Sequence, residues 1–233
     1  MRSPAACLFD LDGLLLDTEP LHSQAWLQAS RHFGLILSED QLLALRGRRR
    51  LDCAEQVRQW MAAVALEPPS VEALLAVRQP IAEALLPSAR PMPGAQRLID
   101  GLAEGAVPMA LVTSSSRSAV ALKAAPHAWL SQIALRVHGD DPEIQAGKPA
   151  ADPYRLAARR LAVEPEHCWA FEDSLAGACS AAAAGCRVHV LRPAEAPLAE
   201  ALLPQLPPGC VLLESLEQLD LALFGVGSEP KAQ

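Results

Sequence analysis

The segment Ala6-Cys7-Leu8-Phe9-Asp10-Leu11-Asp12-Gly13 decides how this chain of 233 residues is read. Four consecutive apolar residues without alternation describe a strand buried on both faces, as at the centre of a parallel sheet. The run ends in two carboxylates two residues apart, which project on the same side at a strand end, and then in a turn-forming glycine. In that placement one carboxylate is suited to hold a metal or attack, and the other to move a proton. The bland reading is two acids in a loop. An EF-hand calcium loop does not fit, because it needs a third acidic position before its glycine and a glutamate at position 12.

Further along, Pro108–Val112, Ile133–Val137, Cys168–Phe171 and Val188–Leu191 have the same short apolar character, each followed by turn chemistry and a helical pattern. Strands alternating with helices predict an α/β fold with a doubly wound, Rossmann-like parallel sheet, and Val211–Leu213 adds an edge strand. Ligands in such sheets bind beyond the carboxyl ends of the strands. Polar residues follow four of the strands there: Asp10 and Asp12, Thr113 to Ser116, Asp140 and Asp141, then Glu172 and Asp173.

About ninety residues separate the first two strands, far more than one crossover needs. Helical patterns fill this interval at Leu21–Phe33, Glu39–Leu45, Leu51–Ala65 and Ser70–Leu86, with breakers at Pro68, Pro69 and Pro87. The reading is a core of residues 1–17 and 91–233 with an inserted α-helical cap at 18–90. Both ends of the insert return to the exit of the first strand, so it is expected to cover the carboxyl edge of the sheet. Asp152 before Pro153 reads as an N-cap and first-turn proline, Ser174 as the start of a helix of small residues, and Gly185 as its left-handed cap. The last few residues are expected to fray.

Composition narrows the function. With 20 Lys+Arg against 27 Asp+Glu the formal net charge is −7, which opposes nucleic-acid and anionic-membrane partners. Aromatic residues are 4 %, with a single tyrosine, too few for a base-stacking platform. The six cysteines show no metal-finger spacing and read as reduced thiols of a cytoplasmic protein. Asp10 and Asp12 interrupt the N-terminal apolar run, so no signal peptide is expected, and no stretch approaches the ~18 apolar residues of a membrane span.

Four sites carry the chemistry. Glu172-Asp173 would bring two more carboxylates to the edge that holds Asp10 and Asp12, a costly gathering without a cation, which Mg²⁺ with its oxygen ligands resolves. Asp173 has a second reading as a helix cap. Lys148, in Gly147-Lys148-Pro149, is either a solvated loop charge or an ammonium offsetting Asp10 and a bound phosphoryl group. Thr113-Ser114-Ser115-Ser116-Arg117 supplies hydroxyls and free N–H groups at a helix start, an anion site or simply a cap. No nucleotide-triphosphate P-loop occurs. Arg46-Gly47-Arg48-Arg49-Arg50 is a basic run in an acidic protein, read either as a solvated helix start or as a substrate grip.

Asp10-Leu11-Asp12-Gly13, Thr113-Ser114-Ser115, Lys148-Pro149 and Glu172-Asp173, in this order and placement, resemble the haloacid dehalogenase superfamily, in its phosphatase branch with a helical cap. The resemblance covers nearly the whole chain. It implies that Asp10 is the nucleophile forming an aspartyl-phosphate, and that Asp12 protonates the leaving alcohol and later activates water. It further implies that Thr113 and Lys148 complete the catalytic set, with Ser114 and Ser115 at the phosphate. Asp10, Asp173, the backbone carbonyl of Asp12, and Glu172 directly or through water would hold Mg²⁺.

Within the superfamily, Phe9 to Glu19, Met92-Pro93-Gly94-Ala95, and Gly139-Asp140-Asp141-Pro142-Glu143-Ile144 leading to Gly147-Lys148-Pro149 resemble the subgroup containing pseudouridine-5'-phosphatase and glycerol-3-phosphatase-like proteins. The departure is at Arg117, where those relatives often carry a small or another basic residue. Similarity to β-phosphoglucomutase implies a grip on a second phosphate for Arg50 and a cap-hinge role for His22, whereas Glu19 resembles the phosphatase members. The expected activity is Mg²⁺-dependent hydrolysis of a small phosphorylated sugar, polyol or nucleoside by a monomer or weak dimer. A phosphosugar mutase is the rival on the same fold. A non-catalytic binding module is the rival of another class, opposed by Asp12, since a binder has no use for a proton-transfer acid beside a nucleophile.

Overall fold

The structure, a computed structural model, describes residues 3–192 and 200–226. The final residues, expected to fray, lie outside the described set. In chain order the elements are β1 (Ala6–Phe9), β2 (Leu16–Asp17), α1 (Glu19–His32), α2 (Glu39–Leu45), α3 (Arg50–Ala63), α4 (Val71–Leu85), β3 (Arg90–Pro91), α5 (Ala95–Glu104), β4 (Met109–Val112), α6 (Arg117–Ala124), β5 (Leu135–Val137), α7 (Asp152–Arg160), β6 (Cys168–Glu172), α8 (Leu175–Ala184), β7 (Arg187–Leu191) and β8 (Val211–Leu213).

Six strands form one sheet in the order β5-β4-β1-β6-β7-β8, and every pairing in it is parallel. The expected doubly wound fold is what forms. The apolar run at Ala6–Phe9 is central, and its period of two divides the core into two layers. Cys7 and Phe9 pack with Leu98, Ile99 and Leu102 of α5. Ala6 and Leu8 face the opposite layer, with Tyr154 and Ala157 of α7 and Ala178 and Ala181 of α8.

Local differences from the sequence reading have physical causes. β5 starts at Leu135 rather than Ile133 because Ala128–Gln132 forms a 3-10 turn ahead of it. Asp152 is the first helical residue of α7, not its N-cap; that position is Ala151. The Asp152 carboxylate instead accepts a bond from the backbone N–H of Ala146 at 3.0 Å. Ser174 does cap α8, accepting from Gly177 N–H, and Gly185 ends it with φ +101°. Asp173 is therefore released from capping.

Between β2 and β3, which pair antiparallel as a two-residue stalk, helices α1 to α4 form a unit with its own core of Trp26, Ala29, Val57, Met61 and Leu74. Helix α4 continues through Pro80. All six cysteines are free. Among the described residues no helix is long and apolar enough to cross a membrane.

Candidate active site

Asp10, Thr113, Glu172 and Asp173 stand where buried strands end. Asp10 follows β1 and is anchored by its N–H to Phe171 O at 3.0 Å. Thr113 follows β4, and its N–H bonds to Val137 O. Glu172 is the last residue of β6, and Asp173 comes directly after it. Lys148, only 2 % exposed, extends from the loop before α7. Its Nζ donates to Asp10 Oδ1 at 2.5 Å, Glu172 Oε1 at 2.5 Å and Val112 O at 3.0 Å. The Tyr154 hydroxyl donates to the same Glu172 oxygen.

Asp10, Glu172 and Asp173 are all buried and present carboxylate oxygens within 4.8 Å of one another. Burial, followed by the neighbouring carboxylates against the opposing pull of Lys148, raises Asp10 to about 7. Burial likewise raises Glu172, although Lys148 opposes it. Asp173 is pushed up to about 6 by burial despite the nearby Arg46 guanidinium, and its Oδ1 is a buried oxygen with no hydrogen-bond partner. Three carboxylates this close, with one oxygen left over, fit a hard cation that takes oxygen ligands. Gly13 protects the arrangement: its φ is +83°, and a Cβ there would collide with the Asp173 carboxylate.

Asp12 has different surroundings. Its Oδ1 accepts from Thr18 Oγ1 at 2.7 Å and from His22 Nε2 at 3.2 Å. Its Oδ2 accepts from Ser115 Oγ at 2.8 Å and from Thr113 Oγ1 at 3.4 Å. Arg78 Nη2 donates to His22 Nδ1 at 3.0 Å, so Nδ1 is the acceptor and the ring proton resides on Nε2, facing Asp12. Lys123 joins both sides, with Nζ 2.6 Å from Asp12 Oδ2 and 2.7 Å from Ser115 Oγ. Burial pushes Asp12 up, but the Lys123 ammonium and the His22 bond outweigh it and hold the carboxyl well below the usual range. The side chain of Asp12 thus lies outside the three-carboxylate cluster; the atom expected to face a metal there was its backbone carbonyl.

A cavity of about 190 Å³ opens over these groups between core and helices, with Asp10, Asp12, Ser114 and Ser115 on its floor. The helical unit meets the core at the arginine run. Arg46 lies 2.7 Å from Asp173 and 3.0 Å from Glu19, and Gly47 O accepts from Ser114 Oγ at 2.8 Å. Arg50 lines the cavity with an exposed side chain that donates to Gln79 Oε1 at 3.1 Å. Glu19 and His22 also line it, and burial raises Glu19 to about 8 against the pull of Arg46. Sequence reasoning missed Lys123, Tyr154, Arg78 and Thr18. For Lys123 a signal existed: Ala119 and Lys123 lie four residues apart in α6 and so share one helix face, and Ala119 lines the cavity.

The arrangement provides a buried carboxylate held by a lysine, a separate carboxylate surrounded by hydrogen-bond donors, three clustered carboxylates that could hold a cation, and a cavity beside them. A family model described as haloacid dehalogenase-like hydrolase matches residues 4–185. The chain is 35 % identical over 195 residues to a probable pseudouridine-5'-phosphatase of Drosophila melanogaster, covering 81 % of each. It is also 35 % identical over 189 residues to a fructose-1-phosphate phosphatase of Escherichia coli, covering 78 % of this chain and 93 % of the other. Among solved structures, CbbY from Rhodobacter sphaeroides in complex with phosphate superposes with a TM-score of 0.78 at 26 % identity, over 95 % of this chain and 99 % of that one.

Proposed function

The chain belongs to the haloacid dehalogenase-like hydrolases as a phosphatase of small phosphorylated metabolites, and from that premise we propose Mg²⁺-dependent hydrolysis of a sugar, polyol or nucleoside monophosphate through an aspartyl-phosphate. The observation that carries the reading is the division of labour between two carboxylates of one loop. Asp10 is coupled to Lys148 and the three-carboxylate cluster, whereas Asp12 is held apart among proton donors.

In this mechanism the Asp10 carboxylate attacks phosphorus, and the bond from phosphorus to the substrate's ester oxygen breaks. Asp12, which Lys123 and His22 hold ionised before substrate arrives, takes up a proton from water as the anionic ester binds beside it and delivers that proton to the departing oxygen. It then takes a proton from the water that attacks the acyl phosphate, releasing phosphate and restoring Asp10. Lys148 offsets charge on Asp10 and on the transferring group. Asp10, Glu172 and Asp173 are the residues that would hold Mg²⁺, which when bound would supply further neutralisation of phosphoryl charge. Thr113, Ser114 and Ser115 offer hydroxyl and N–H donors to those oxygens. Residues 18–90 act as the cap over the core of residues 1–17 and 91–233, excluding bulk water and, through Glu19, His22 and Arg50, contacting the leaving group. The small cavity supports a metabolite over a polymer.

The test is phosphate release from p-nitrophenyl phosphate with and without Mg²⁺, followed by a panel of phosphorylated sugars, polyols and nucleosides. Metal-dependent turnover with a preference within the panel is expected. Binding of these esters without metal-dependent release would turn the reading into that of a binding module.

A further inference from the structure

Lys123 is fully buried on α6, and it is not among the residues lining the cavity. Its ammonium reaches both oxygens of Asp12 from behind and also donates to Ser115 Oγ at 2.7 Å, which in turn donates to Asp12 Oδ2 at 2.8 Å. A lysine stem threaded through a helix–sheet interface to end on one carboxylate is a costly element to bury unless that carboxylate needs it. The other contacts to Asp12 come from Thr18 and His22, which begin the helical unit, and from Thr113 and Ser115 after β4. Among the described contacts of Asp12, Lys123 is the charged partner and belongs to the core, whereas the neutral His22 sits on the helical unit. Thr18 and His22 lie beyond the β2–β3 stalk on the helical unit, so any motion about that stalk displaces them, while Lys123 and Ser115 stay with the core.

We propose that Lys123 is a positioning residue that, together with Ser115, keeps the Asp12 carboxyl group aimed for proton transfer to the leaving group while the cap opens and closes. The proposal rests on the reading of Asp12 as the proton carrier. Because Lys123 lies behind Asp12 and not on the cavity wall, it touches neither substrate nor phosphate and acts only through Asp12.

The dependence on leaving group distinguishes this role from scaffolding. p-Nitrophenolate departs without a proton, whereas an alkoxide from a primary alkyl phosphate does not, and kcat/KM reports the step in which that bond breaks. Lys123→Met should lower kcat/KM for an alkyl phosphate such as glycerol phosphate by roughly tenfold to a hundredfold, and for p-nitrophenyl phosphate by less than about threefold. The Lys123→Met/Asp12→Asn double variant should be no slower on the alkyl ester than Asp12→Asn alone. It also removes the carboxylate left without its partner, so the test survives poor folding of the single variant. Equal losses on the two esters, or additive losses in the double variant, would overturn the proposal if Asp12→Asn is itself selective. Equal losses in Asp12→Asn would instead remove the proton-carrier reading and the proposal with it.

Discussion

Arg46 Nη2 stands 2.7 Å from Asp173 Oδ2, so a guanidinium from the helical unit binds a carboxylate of the candidate cation cluster. The same side chain lies 3.0 Å from Glu19 and draws two otherwise repelling acids together. A divalent cation on Asp173 and the guanidinium repel each other, so metal binding has to work against this contact. Arg46→Gln is expected to bind Mg²⁺ about tenfold more tightly in calorimetric titration, equivalent to about 1.4 kcal/mol. In metal-free buffer the variant should melt at a lower temperature, because Glu19 and Asp173 lose their buried counterion. Weaker Mg²⁺ binding by the variant would show that Arg46 assists the cation.

Asp10 is packed against carboxylates that raise it to about 7 after burial has done most of the work. Asp10→Asn keeps the shape, loses the nucleophile and relieves that repulsion. Turnover should fall by roughly 10³-fold or more, while the melting temperature stays level or rises. Substantial remaining activity on any ester of the panel would refute the nucleophile assignment.

What the sequence discloses depends on whether a residue's partner is nearby in the chain or brought in by folding. Asp10, Asp12, Glu172 and Asp173 follow short apolar runs, and a strand end announces both position and direction; the parallel sheet is legible for the same reason. Lys123 lies in Ala119-Val120-Ala121-Leu122-Lys123-Ala124, where a lysine near a helix end looks solvated; its target, Asp12, is 111 residues away. Tyr154 finds Glu172 across the α7–β6 interface in the same way. Within Arg46 to Arg50 the residue types are nearly uniform, so composition cannot rank them. Loop geometry does: the turn at Gly47 sends Arg46 to Asp173 and leaves Arg50 beside Gln79.

That turn is itself testable. Gly47 has φ +72°, and a Cβ would run into the Ser174 side chain. Its carbonyl also accepts the Ser114 hydroxyl at 2.8 Å. An alanine in the left-handed region costs about 1–2 kcal/mol, here charged against the closed arrangement of helices and core. Gly47→Ala should therefore reduce kcat/KM by about tenfold with little change in melting temperature. A variant with unaltered kinetics would mean that closure does not use this loop.

His189 on β7 gives a pH effect separate from the reaction. It is 4 % exposed, with ring centroids 4.9 Å from Trp169 and 4.8 Å from Phe171. Burial, aided by the charge on Arg187, pushes its pKa down to about 4. An unfolded histidine titrates near 6.5, so protons bind the unfolded chain first as pH falls. The stability due to neutral His189 is complete above about pH 6.5 and is lost as pH drops from there through about 4, amounting to roughly 3 kcal/mol in all. Asp10, Glu19 and Asp173 are raised and act in the opposite direction, so the measurement has to be a difference. Urea unfolding of the native protein and His189→Leu at pH 7 and pH 4.5 should show the native protein losing about 2–3 kcal/mol more than the variant between the two. Equal losses would mean that the His189 ring gains access to water before the fold is lost.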